Sequence, residues 1–112
     1  MNPATTPDPP YYAVIFTSRQ TGDESNAYSE TASRMKELAG RQAGFLGIES
    51  AHGDDGLGIT VSYWESPEAI HAWKANEKHL AAQQKGRAVW YDRFELRIAK
   101  VERAYGMTRD SA

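Results

Sequence analysis

The chain has 112 residues, a formal net charge of −2 and no cysteine. That length fits a single compact core, the missing thiols exclude disulfides, thiolate nucleophiles and cysteine-based metal or iron–sulfur sites, and the balanced charge leaves no basic field for nucleic acid. His52, His71 and His79 follow no metal-ligand spacing, and no apolar run approaches the ~20 residues of a membrane span, so neither a metal nor a membrane is expected and the expected location is the cytoplasm.

Residues 1–10 carry four of the five prolines and read as a flexible arm. Tyr11-Tyr12-Ala13-Val14-Ile15-Phe16-Thr17 is a dense β-branched and aromatic run, the signature of a buried strand. After the break at Gly22-Asp23-Glu24-Ser25, Tyr28, Thr31, Ala32, Met35, Leu38 and Ala39 recur at steps of three and four, tracing one face of a helix of about 14 residues. Asp23 or Ser25 suits its cap and Gly44 its exit.

Gly44 to Ala51 and Leu57 to Tyr63 flank Gly53-Asp54-Asp55-Gly56, a loop that tolerates positive φ, and so form an antiparallel hairpin. In its second strand Leu57, Ile59, Val61 and Tyr63 alternate with Gly58, Thr60 and Ser62, which assigns the branched and aromatic face to the core. Ser66-Pro67-Glu68 is a helix start: a capping hydroxyl, a proline where the amide is orphaned anyway, and an acid at the positive helix end. This helix carries Ile70 and Trp73, is expected to break near Asn76, and resumes from Lys78 to about Arg87.

Trp90 to Glu102 alternates Phe94, Leu96 and Ile98 against Arg93, Glu95 and Arg97, then shifts phase to Ala99 and Val101, a long strand with a bulge at the slip. Residues 106–112 read as a flexible tail, which leaves 11–105 as the domain. The order β-α-β-β-α-β is the ferredoxin-like α+β arrangement, a four-stranded antiparallel sheet with both helices on one face. Its other face would expose more apolar surface than a monomer tolerates, so a homodimer is expected.

Ser62-Tyr63-Trp64-Glu65-Ser66-Pro67-Glu68-Ala69-Ile70-His71-Ala72-Trp73, with Gly44-Phe45-Leu46-Gly47 ahead of it, resembles the antibiotic biosynthesis monooxygenase family. The resemblance implies a dimeric α+β barrel with a pocket on the helix-facing side of each sheet. It also implies oxygenation of planar polycyclic phenols without a cofactor, or oxidative opening of haem, and it puts Trp73 at the pocket. Haem-degrading members carry an iron-ligating His ten residues past that Trp and an Asn near the end of the first strand. Here those places hold Gln83 and Thr17-Ser18, so haem is disfavoured as substrate or ligand and no cofactor is expected.

Two catalytic candidates follow. Trp73 either holds a flat aromatic substrate or fills core volume. His79 either serves as a general base or is an ordinary surface or core histidine. It lies six residues past Trp73, about 240° round an ideal helix, and only a break near Asn76 brings it to the same face. His52 and His71 read as structural, Trp64, Trp90 and Tyr91 as a pocket mouth or dimer seam, and Tyr63 and Phe16 as core. The leading expectation is a monooxygenase acting on a planar aromatic molecule. The alternatives are haem degradation and a non-catalytic ligand-binding or stress-associated dimer.

Overall fold

The computed structural model describes residues 2–20, 26–83 and 91–109, and for 26–32 and 77–83 the backbone alone. The central strand β1 (Tyr11–Gln20) pairs antiparallel with β3 (Leu57–Trp64) on one side and β4 (Tyr91–Val101) on the other. The edge strand β2 (Phe45–His52) pairs with β3, which makes the strand order β2-β3-β1-β4. Two helices, α1 (Asn26–Gly40) and α2 (Pro67–Gln83), complete the β-α-β-β-α-β sequence expected for a ferredoxin-like fold. Both contribute to one buried cluster, in which Ala39 of α1 and Ile70 and Trp73 of α2 meet Val14 and Trp64 of the sheet.

Local chemistry explains where α2 begins. Ser66 Oγ accepts a hydrogen bond from the Ala69 amide at 3.1 Å, so the capping role read from Ser66-Pro67-Glu68 is realised. The expected break near Asn76 is absent, and α2 runs unbroken from Pro67 to Gln83. Asn76 interrupts a helix only when its amide competes for backbone partners. Here its Nδ2 donates instead to Gln42 Oε1 at 3.1 Å, tying α2 to the turn that follows α1. The expected helix caps Asp23 and Ser25, Arg87 at the far end of the second helix, and Trp90 lie outside the described residues.

Gly44 does not end α1, which stops at Gly40, but sits four residues on, immediately before β2. Its φ of +84° is one that L side chains rarely adopt, and a Cβ there would lie 2.6 Å from the Ala69 Cβ. Glycine thus lets the turn approach α2, while its carbonyl accepts from the Glu65 amide at 2.8 Å. At the far end of the sheet, Gly56 with φ +88° closes the hairpin between β2 and β3.

Two sequence readings change with the layering. Ile98 pairs with Val14 and Ala99 with Ala13 in unbroken register, so no bulge lies at the phase slip; the irregularity is at Arg19/Gln20, opposite the start of β4. The apolar phase changes because Phe94, Leu96 and Ile98 face the helices, whereas Ala99 and Val101 face the opposite layer. In β3 the branched face is not the core face: Leu57 and Ile59 are 38% and 42% exposed. Trp64 decides this, since its burial beneath the helices puts Ser62, Thr60 and Gly58 on the same side by strict alternation.

The outer face is partly covered by the proline-rich arm. Ala4 donates its amide to Glu49 Oε2 at 2.9 Å, Thr6 Oγ1 donates to the Tyr11 hydroxyl at 2.9 Å, and a side chain at Gly47 would press on Ala4. The arm has no regular structure, as its prolines require, yet these contacts pin it to the sheet. Tyr63 donates its hydroxyl to Glu49 Oε1 at 2.5 Å and meets Tyr11 edge to face. Burial first, and then the Glu49 carboxylate, push the Tyr63 phenol up to about 12, while the Tyr63 and Ala4 donors hold Glu49 below its ordinary range.

A lowered folded-state pKa means that the stabilisation by Glu49 is present above the unfolded carboxylate pKa and is lost as pH falls through the folded value. Removing the charge with Glu49→Gln should lower the Tyr63 pKa from about 12 while leaving it above 10, because burial remains. Ultraviolet titration of the tyrosinate band reads this directly, and an unchanged titration would contradict the assignment of Glu49 as the cause.

Candidate active site

Strand register aligns the helix-facing side chains into four rows. The first is Lys100, Tyr12, Trp64 and Phe45; the second Ile98, Val14, Ser62 and Ile48. The third is Leu96, Phe16, Thr60 and Ser50, and the fourth Phe94, Ser18, Gly58 and His52. Side-chain volume therefore falls along β2 and β3, from Phe45 and Trp64 to Ser50 and Gly58.

The first row is filled. Trp64 is fully buried, Trp73 descends from α2 to stack on it with ring centroids 6.1 Å apart at 20°, and Phe45 meets it edge-on at 5.4 Å. The indole N–H of Trp64 donates to Ser62 Oγ at 2.9 Å, so the ring is buried without an orphaned donor. Trp73 is thus one element of a packed aromatic cluster, closing that end of the helix-facing layer.

The other end is built of small residues and one aromatic wall. Ser62, Thr60, Ser50 and Ser18 form the floor, with Gly58 beneath the His52 ring, and Ser18 is itself buried. Phe16, Tyr91 and Phe94 pack together beside it, at 5.5 Å for Phe16 and Tyr91 and 5.4 Å for Phe16 and Phe94. Phe94 remains 43% and Ile98 52% exposed, so the wall faces an opening along β4. Because α1 follows the end of β1 and α2 runs the length of the sheet from the end of β3, the first turns of α1 and the last turns of α2 lie at this small-residue end. A low floor with hydroxyl groups, flanked by π-faces, suits a flat molecule with polar substituents.

His79 is on the penultimate turn of α2, and its side chain lies outside the described residues, as does that of Gln83. As α2 is unbroken, the backbone sets His79 about 240° round from Trp73, a third of a turn from its face. His71 is exposed on α2. Among the described residues, no group of three or more His, Asp or Glu side chains is arranged to hold a metal ion, and no helix is long and apolar enough to cross a membrane. A hollow of about 770 Å³ lined by Lys100, Val101, Glu102, Arg103, Ala104 and Tyr105 lies at the end of β4 and shares no residue with the Trp64–Trp73 cluster.

In the sequence Phe94, Thr60 and Ser62 carry no mark of a site, and Phe16 reads as core. The signal was present in the alternation of β3, whose small face becomes meaningful once Trp64 is known to share it.

The sequence profile of the antibiotic biosynthesis monooxygenase family matches residues 11–85. An uncharacterized protein of Bacillus subtilis, YqjZ, is 54% identical over 98 residues, covering 88% of this chain and 85% of its own length. Among solved structures, SnoaB, a cofactor-independent oxygenase from Streptomyces nogalater, superposes with a TM-score of 0.70 at 14% identity, covering 86% of this chain and 97% of its own. A protein from Deinococcus radiodurans described as a putative antibiotic biosynthesis monooxygenase superposes with a TM-score of 0.71 at 10% identity, covering 88% and 99%. At such identities the two superpositions speak for the fold alone.

If the filled end is held by Trp64, Trp64→Ala should destabilise the protein by roughly 3–5 kcal/mol in urea unfolding. A loss below about 1 kcal/mol would mean that the cluster is not the anchor described.

Proposed function

The chain belongs to the antibiotic biosynthesis monooxygenase family, and on that footing we propose that it oxygenates a planar aromatic molecule without a cofactor, in the space above the small-residue floor. The observation that carries the reading is the division of the helix-facing layer: a sealed aromatic end at Trp64 and Trp73, and beyond it a hydroxyl-lined floor beside Phe16, Tyr91 and Phe94. The description of SnoaB as a cofactor-independent oxygenase lends support from a protein of the same fold.

Such chemistry asks little of the protein beyond positioning, a base and exclusion of water. An electron-rich phenol or anthrone gives up a proton, and its anion transfers electrons to O2. For dithranol, a planar dihydroxyanthrone, the methylene carbon takes one oxygen atom as a carbonyl while its two hydrogens leave with the other atom as water. In this proposal Trp73 forms the end wall against which the rings lie, and the base is His79, which the unbroken α2 carries to the small-residue end rather than to the face of Trp73, an imidazole being suited to exchange protons near neutral pH.

Haem does not fit the residues present. A carboxamide at Gln83 offers no imidazole to iron, and β1 holds no asparagine, with Thr17 and Ser18 standing where the haem-degrading members place theirs. No step is derived through it.

The outer face supports a second part of the proposal, a two-fold dimer. Leu57 and Ile59 are exposed beside Val61 and Ile15, and the arm covers the neighbouring corner at Tyr11, Gly47, Glu49 and Tyr63. A second copy placed sheet to sheet would remove this strip from water.

With dithranol and a chelator present, an oxygen electrode should record uptake above the spontaneous rate, and His79→Ala should lower kcat by roughly 10²-fold or more. Binding without uptake would favour the non-catalytic reading, and neither would sink the proposal. For the dimer, sedimentation velocity should give twice the 12.5 kDa chain mass, with Ile59→Lys shifting it to the single chain. A wild-type monomer at micromolar concentration would refute that part.

A further inference from the structure

The fourth row of the sheet ends in a histidine that is exposed yet holds its ring against the backbone of the neighbouring strand. His52 is the last residue of the edge strand β2 and pairs with Gly58, on the helix-facing side, in the row shared with Ser18 and Phe94. A Cβ built on Gly58 would lie 2.9 Å from His52 Cδ2, 3.3 Å from Nε2 and 3.8 Å from Cγ. The far edge of the ring is therefore nearest the glycine, so the imidazole leans inward from the sheet edge and lies over β3. Any larger residue at position 58 would push it out.

This places a ring nitrogen at the polar end of the floor, opposite the end sealed by Trp64 and Trp73. Among the described residues no group exchanges a hydrogen bond with that ring. Two of the nearby acids are otherwise engaged or turned away. Asp55 binds the Leu57 amide at 3.1 Å and faces Arg19 at 3.8 Å, and Glu49 lies on the opposite face with Tyr63. A flat molecule lying along the floor, its apolar rings against Phe16 and Phe94, would bring an oxygen at its leading edge to His52.

We infer that His52 is a substrate-positioning residue that hydrogen-bonds a hydroxyl or carbonyl oxygen on one edge of a planar aromatic ligand. This rests on the proposed function in naming that site, and it adds a chemical requirement: the ligand must carry an oxygen at that edge, and a bare hydrocarbon of the same shape should bind less well. The plain structural alternative is that the ring merely covers a strand glycine. A phenyl ring would do that equally well, which separates the two.

The test is equilibrium dialysis of the full chain with α-naphthol and with naphthalene, a matched pair differing by one hydroxyl. Wild type should hold α-naphthol roughly tenfold more tightly, the scale of one good hydrogen bond. His52→Phe should keep its thermal midpoint and its naphthalene binding while losing that preference, and His52→Gln, which retains a polar reach, should recover part of it. Equal binding of the two ligands by wild type, or an unchanged preference in His52→Phe, would overturn the assignment of His52 alone. Binding of neither ligand by wild type would overturn it together with the proposed chamber. Should His52→Phe fold poorly, the pair His52→Gln and His52→Ala carries the same comparison, with loss of preference in the alanine variant expected and its persistence contrary.

Discussion

Trp64 is the constraint from which the two halves of the helix-facing layer follow. A ring of that size, wholly buried at the end of a strand, needs partners on every side. Trp73 stacks above it, Phe45 closes one edge, and Ser62 takes its N–H. The cluster welds α2 to the sheet at its first turns. Strict alternation then commits the rest of that face of β3 to Ser62, Thr60 and Gly58, residues too small to reach the helices. One large residue thus both anchors the layer and dictates that it is low elsewhere.

Much of the fold could be read from residue pattern, because each element announces itself by period or punctuation. The Ser66-Pro67 start, the Gly53 to Gly56 loop and the dense run in β1 all describe backbone requirements that neighbours do not alter. Layering was harder. Leu57, Ile59 and Val61 look like core residues in isolation, and only the burial of Trp64 reveals that they face outward. The phase slip at Ile98 and Ala99 imitates a bulge for the same reason: a strand whose two halves meet different layers changes its apolar face without changing its register.

The candidate site was less legible still. Trp73 stood out because tryptophan is rare and the motif around it is distinctive, yet its ring is packed against Trp64 rather than standing alone in a pocket. What shapes the neighbouring space is a set of serines, a threonine and a glycine, residues that carry no signal until strand register lines them up. His52 reads as structural in the sequence, whereas its inward lean depends on the missing side chain of its cross-strand partner Gly58. Asn76, conversely, looked like a breaker because its link to Gln42 spans 34 positions of the chain and leaves no local trace.

The central claim is that a flat ligand lies on the helix-facing floor beyond the tryptophan stack. Intermolecular nuclear Overhauser effects from bound α-naphthol test it most directly. The account predicts contacts from the ligand rings to the Thr60 methyl group and to the Phe16 and Phe94 rings. Contacts confined to the outer-face methyls of Leu57 and Ile59, or to the stretch from Lys100 to Tyr105, would contradict it.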